Sequence, residues 1–159
     1  MKFVSMVDIA SHNIISIDAN AFTLRLEIDG AVRETRLKPY HAEILYSLFT
    51  KHPSPLTYDE ITALLKQYNL VVTDLTRMHR KLSEIRGFMN LFHHGLGRLV
   101  YNTRGVGYSL PLRLKSLQGV ETASKLQFRN KAIARSMNTI CSLIEAAIKL
   151  TAEYKIVPN

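Results

Sequence analysis

The stretch Arg98-Leu-Val-Tyr-Asn-Thr-Arg-Gly-Val-Gly-Tyr-Ser-Leu110 constrains the fold more than any other part of the chain. Residues 99–102 alternate as one strand and residues 108–110 begin its return, with Gly105 and Gly107 at the bend between them. Glycine reaches positive φ without a Cβ clash, so the pattern predicts a tight β-hairpin with Arg104 at its tip. A helix is predicted just before it, over residues 73–89. There Leu75, Met78, Leu82, Ile85 and Met89 recur at steps of three and four, which makes one buried stripe. At about 100° per residue, Thr73, Thr76, Arg77, Arg80 and Glu84 fall on the opposite, exposed face.

Upstream, residues 13–18, 22–28 and 31–37 read as strands, and Asp29-Gly30 is a strong two-residue hairpin signal. Pro39 suits the first turn of a helix that runs to about residue 51 and turns Ala42, Leu45, Leu48 and Phe49 inward. Pro53 and Pro55 stop it. Thr57 opens the next helix and Glu60, three residues on, completes a capping box. Ile61, Leu64, Leu65 and Tyr68 form its apolar stripe, and Thr73 is placed to cap the helix that follows. The order is a small antiparallel sheet, three helices and a hairpin, an α+β class.

Charge is unevenly distributed along these elements. The chain carries 21 Lys and Arg against 13 Asp and Glu, a net +8 over 159 residues. Residues 1–72 hold 7 basic and 8 acidic side chains, residues 73–111 hold 6 and 2, and residues 112–159 hold 8 and 3. The positive field therefore begins where the third helix begins. That asymmetry suits a polyanion, and by charge alone it suits a membrane surface equally well.

Four segments together resemble the winged-helix DNA-binding domain of OmpR/PhoB-type transcription regulators. Asn102-Thr-Arg-Gly-Val-Gly-Tyr108 resembles the wing, and Leu37-Lys-Pro-Tyr-His-Ala-Glu43 with Ile44, Leu45 and Leu48 the first helix. Pro53-Ser-Pro-Leu-Thr-Tyr-Asp-Glu-Ile61 with Leu64 and Leu65 resembles the second helix, and Met78-His-Arg-Lys-Leu82 the end of the recognition helix. The likeness covers roughly residues 13–111. It implies a winged helix-turn-helix with an N-terminal antiparallel sheet and a C-terminal hairpin wing. Its recognition helix, residues 73–89, would lie in the major groove and the wing, residues 98–110, in the minor groove. Arg77 matches the position that reaches base edges, while Asp74 and Thr76 match positions that often face phosphates, where Asp74 would repel. His79 stands where the family usually has Arg. Asn102 stands where it usually has Thr and keeps a donor for a phosphate. Arg104 matches the wing arginine, which a narrow A/T-rich groove attracts. Thr73, Thr76, Arg77, Arg80, Lys81, Asn102 and Arg104 are accordingly the candidate DNA-contacting set. Residues 67–72 match a loop that touches RNA polymerase in many relatives, and it is short here.

Beyond the hairpin, residues 115–159 read as a helical extension appended to a domain of residues 1–114. Leu126, Asn130, Ile133, Met137, Ile140, Ile144, Ala147, Thr151 and Tyr154 follow a heptad seam with one polar position, widened by Cys141 and Ile148. A helix of ~30 residues is ~45 Å long, whereas a domain of about 110 residues is only ~35 Å across. Two readings follow: a long helix packed on its own domain, or a homodimer seam in which Asn130 sets register. The length argument favours the dimer, with Asn130, Ile133, Met137, Ile140, Ile144 and Ala147 as its contacts. Lys125, Arg129, Lys131 and Arg135 form either a solvated face or extra phosphate contacts.

Other classes find little support. The single cysteine, Cys141, excludes an intramolecular disulfide and reads as a buried thiol. His93 and His94 are adjacent, which points their side chains apart, so no metal site is expected. No phosphate-cradling glycine loop or nucleophile–base pattern is visible. The expectation is therefore no enzyme and no cofactor. No secretory signal and no apolar run long enough for a spanning helix stand out, so a cytoplasmic protein is expected. No phospho-acceptor receiver domain is expected. Two functions remain: a bacterial sequence-specific regulator of transcription on double-stranded DNA, or a winged-helix interaction module that binds or sequesters another regulator.

Overall fold

The structure, a computed structural model, describes residues 1–117, 140 and 142–149. The chain divides into two compact units, Met1–Gln118 and Gly119–Asn159. The first is mixed α+β and is built in the order β1 (Phe3–Asp8), β2 (Ile14–Asp18), β3 (Thr23–Ile28), β4 (Ala31–Arg36), α1 (Pro39–Lys51), β5 (Leu56–Thr57), α2 (Tyr58–Gln67) and α3 (Leu75–Phe92). A 3-10 turn (Leu96–Leu99), β6 (Tyr101–Thr103), β7 (Gly107–Ser109) and β8 (Leu114–Ser116) follow.

Local signals place most of these elements. The β3–β4 connection is a two-residue turn with Asp29 at φ 50° and Gly30 at φ 81°, the twist that joins right-handed strands cleanly. Pro39 sits in the first turn of α1. The Thr57 hydroxyl accepts from the Glu60 amide at 3.3 Å and caps α2. α3 starts one residue later than expected. Asp74, not Thr73, is its cap and accepts from the Arg77 amide at 2.8 Å.

The larger sheet is antiparallel in the order β4-β3-β2-β1-β8, and the smaller one runs β5-β7-β6. Two strands of the larger sheet were not anticipated. β1 alternates with Val4 and Met6 turned into the core, a period-2 pattern present in the sequence. β8 carries only one core residue, Leu114, which is fully buried. It pairs with β1 across more than a hundred residues, and Arg113 meets Asp8 at 3.1 Å. Burial pushes the Asp8 carboxyl up, but the Ala10 amide and Arg113 outweigh it and hold the group below its ordinary value. The core therefore runs past the hairpin to Leu114, because a short C-terminal strand closes the sheet edge beside β1.

One continuous core joins the inner sheet face, α1, α2 and α3. α3 contributes Met78, Leu82, Ile85 and Met89 as predicted. Leu75, expected with them, is 50 % exposed because it is the first helical residue and precedes the packed turns. Leu99, expected on a hairpin strand, is buried in the 3-10 turn instead. Gly105 does take positive φ, at 78°. Gly107 does not: it lies in β7, where a Cβ would come within 1.9 Å of the Leu56 carbonyl oxygen. It is glycine because β5 passes close, not because the chain turns there.

Candidate nucleic-acid interface

α3 and the β6–β7 hairpin carry most of the predicted contact residues on exposed backbone. Thr73, Thr76, Arg77 and Arg80 are all exposed around the first two turns of α3 or just before them. Arg77 keeps 63 % of its side chain in water, with Asp74 at 3.9 Å as a loose partner. The carboxylate predicted to repel a phosphate is thus occupied as a helix cap and beside a guanidinium. Arg80, and Arg104 in the hairpin turn, are exposed and make no ion pair among the described residues. Lys81 is the exception: it is half-buried and its ammonium lies 5.7 Å from the centre of the Tyr40 ring on α1. The curvature of the helix surface carries it toward α1 and away from the exposed arginines.

An aromatic cluster joins the hairpin to α3. The His79 ring lies 5.8 Å from both Tyr58 and Tyr108, edge-on to the first. The Tyr108 hydroxyl meets His79 Nδ1, and burial pushes the Tyr108 phenol up, so it stays protonated. The Tyr58 hydroxyl donates to Asn102 Oδ1 at 2.6 Å, and the Tyr58 backbone amide donates to the Val106 carbonyl at 3.2 Å. Asn102 stands directly across from Tyr108 in the β6–β7 ladder, and Tyr108 also pairs with Leu56 of β5. No sequence spacing announces this cluster, since its members lie 29 and 44 residues apart.

The opposite flank of α3 is held by charge. Glu84, predicted on the exposed face with Arg77, is exposed. It points in nearly the same helical direction but two turns further on, where α1 begins. The Tyr40 hydroxyl donates to it, Lys38 lies at 3.4 Å and His41 Nε2 at 3.5 Å. The Tyr40 bond, joined by His41 and Lys38, holds the Glu84 carboxyl down at about 2. His41 is 1 % exposed, and neither ring nitrogen has a hydrogen-bond partner. Burial holds its pKa below the usual 6.5, against the pull of Glu84.

His93 ends α3 in extended conformation and His94 is exposed. Among the described residues no three His, Cys, Asp or Glu side chains converge as metal donors, and no helix is long and apolar enough to cross a membrane. In the second unit, residues 140 and 142–149 are helical. Ile140 and Ile144, both assigned to the seam, are exposed by 53 % and 51 %, and Leu143, Ala147 and Ile148 are exposed with them. Asn130, Ile133, Met137 and Cys141 lie outside the described residues, as do Lys125, Arg129, Lys131 and Arg135.

No protein-family model, curated protein or solved structure matches this chain.

Proposed function

We propose that the chain is a sequence-specific regulator of transcription that grips double-stranded DNA with α3 in the major groove and the β6–β7 hairpin, as a wing, in the minor groove. The observation that carries the reading is the exposed cation set on two stiff supports: Arg77 and Arg80 on the first turns of α3, Arg104 on a hairpin bound to that helix. Polyanion binding needs cations that are not already spent on internal partners, and a helix flanked by a basic loop is the arrangement that meets base edges and backbone together. Arg77 reads bases, while Thr73, Thr76, Arg80, Asn102 and Arg104 meet sugar and phosphate. Lys81, turned toward Tyr40, contributes field and no direct contact.

The exposed apolar side chains of Ile140, Leu143, Ile144 and Ile148 support a homodimer through the C-terminal helix, since apolar surface left in water favours a partner that covers it. Selection of bound duplexes from a random library, followed by footprinting, tests the main reading. An enriched motif with salt-dependent affinity is expected, and retention of no duplex at low salt would refute it. Light scattering tests the dimer against a chain truncated after Leu117, which keeps β8: a full-length monomer at micromolar concentration would sink the seam.

One observation favours a second reading. Val71, in the connection that precedes α3, and Leu75, its first residue, are exposed apolar residues, 69 % and 50 % accessible. An interaction module would use them to dock another regulator. Under that reading Leu75→Ser abolishes partner capture and leaves DNA retention unchanged.

A further inference from the structure

We infer that Tyr58 is the positioning residue of the interface: it fixes the hairpin on α3 and turns the Asn102 amide so that its N–H groups face an anion. The inference deepens the DNA-binding reading and rests on it for the identity of that anion, a backbone phosphate.

Four contacts converge on this one side chain and its amide. Tyr58 is the first residue of α2, yet none of these four reaches into α2 itself. Its amide donates to Val106 in the hairpin turn, and its hydroxyl donates to Asn102 on β6. Its ring packs edge-on at 6.3 Å against Tyr108 on β7 and at 5.8 Å against His79 on α3. Tyr58 thus touches both hairpin strands, the turn between them and the helix.

The chemistry of Asn102 supplies the second half of the inference. Its amide has one accepting oxygen and an NH₂ with two donors. The accepting oxygen is engaged by the Tyr58 hydroxyl. The exposed side of Asn102 is left with donors, the polarity a phosphate requires and a base-edge donor does not. Without the Tyr58 hydroxyl the amide is free to rotate and present oxygen instead.

The test uses the full chain and a duplex retained by the wild type at low salt, with Tyr58→Phe, Asn102→Ala and the double variant. Removing one hydroxyl that orders a donor should weaken binding about three- to tenfold. The loss should be equal on cognate and scrambled duplexes, with the thermal midpoint unchanged. The double variant should bind no worse than Asn102→Ala alone, because both remove one linked contact. A merely structural Tyr58 lowers the midpoint without this non-additivity, and a Tyr58 that itself touches DNA gives additive losses; either result overturns the inference, as does unchanged affinity in Tyr58→Phe. A separate readout needs no DNA. In the free protein, nitrogen-15 relaxation of hairpin amides 103–107 should show increased motion in Tyr58→Phe, and the Asn102 side-chain NH₂ signals should shift. Unchanged relaxation and shifts overturn the inference. A wild type that retains no duplex refutes the DNA reading instead.

Discussion

The two flanks of α3 are held by different physics. Toward α1, a carboxylate at Glu84 gathers Lys38, Tyr40 and the buried His41. Toward the hairpin, the packed rings of Tyr58, His79 and Tyr108 do the holding, with one hydroxyl bond to Asn102. The difference has a consequence for function. Had the hairpin been fastened by ion pairs, its arginines would be neutralised by the fastening. Aromatic packing fixes position and leaves Arg80 and Arg104 their full charge. The flank away from the interface can use a carboxylate without weakening the positive field where an anion would approach.

That contrast predicts that function and stability separate along one helix. Arg77→Ala should give the largest effect. It should cost about 1–3 kcal/mol of discrimination between a selected duplex and a scrambled one, while the denaturation curve stays put. Equal discrimination by the variant would remove Arg77 from base reading, and a shifted curve would show that the two flanks are not separate.

Glu84→Gln should do the reverse. Glu84 is two-fifths exposed, so water screens its pairs and the cost should be modest, about 1 kcal/mol in denaturant unfolding. Affinity of the folded protein for DNA should not change. A variant as stable as the wild type would reduce the charged flank to a surface contact.

The pH profile sharpens the same comparison. His41 takes a proton less readily folded than free, where its value is 6.5, and folding lowers Glu84 from 4.5 to about 2. In both cases the unfolded chain binds more protons, so stability rises with pH. Stability should therefore be full above pH 6.5. It should fall below that as His41 resists protonation, and fall again from about pH 4.5 toward 2 as Glu84 is neutralised. Denaturation midpoints across this range should show a smaller lower step in Glu84→Gln, with Asp8 and Glu60 still contributing to it, and keep the upper one. A flat profile between pH 7 and 5 would show that His41 is solvated as it protonates.

The smallest effect belongs to Arg104→Ala. It should weaken binding evenly across sequences and lower the slope of log affinity against log salt by about one unit. Reduced affinity with an unchanged slope would mean that Arg104 meets no phosphate.

Much of the architecture is legible without coordinates because it rests on interactions within four residues. Pro39 at a helix start, Thr57 with Glu60, Asp29-Gly30 in a turn and the spacing from Met78 to Met89 are all local statements. Each biases its own segment whatever else the chain does, and the elements stand where those signals put them, to within one to three residues at the ends of α3. The exposure of Arg77 and Arg80 was readable for the same reason, since helical periodicity alone separates them from the buried stripe, whereas the lean of Lys81 onto Tyr40 of α1 was not.

What only the tertiary structure decided lies between residues far apart in the chain. β8 finds β1, Gly107 is compelled by Leu56, Glu84 on its exposed face finds Tyr40 and His41 of α1, and Tyr58 meets Asn102 and His79. None of these leaves a mark in local spacing, because each depends on which surfaces the core brings together and not on the conformational preference of either partner. A helix can announce that one of its faces is polar. Which stretch of that face meets solvent and which meets another helix is settled only when the sheet, α1 and the hairpin have closed around it.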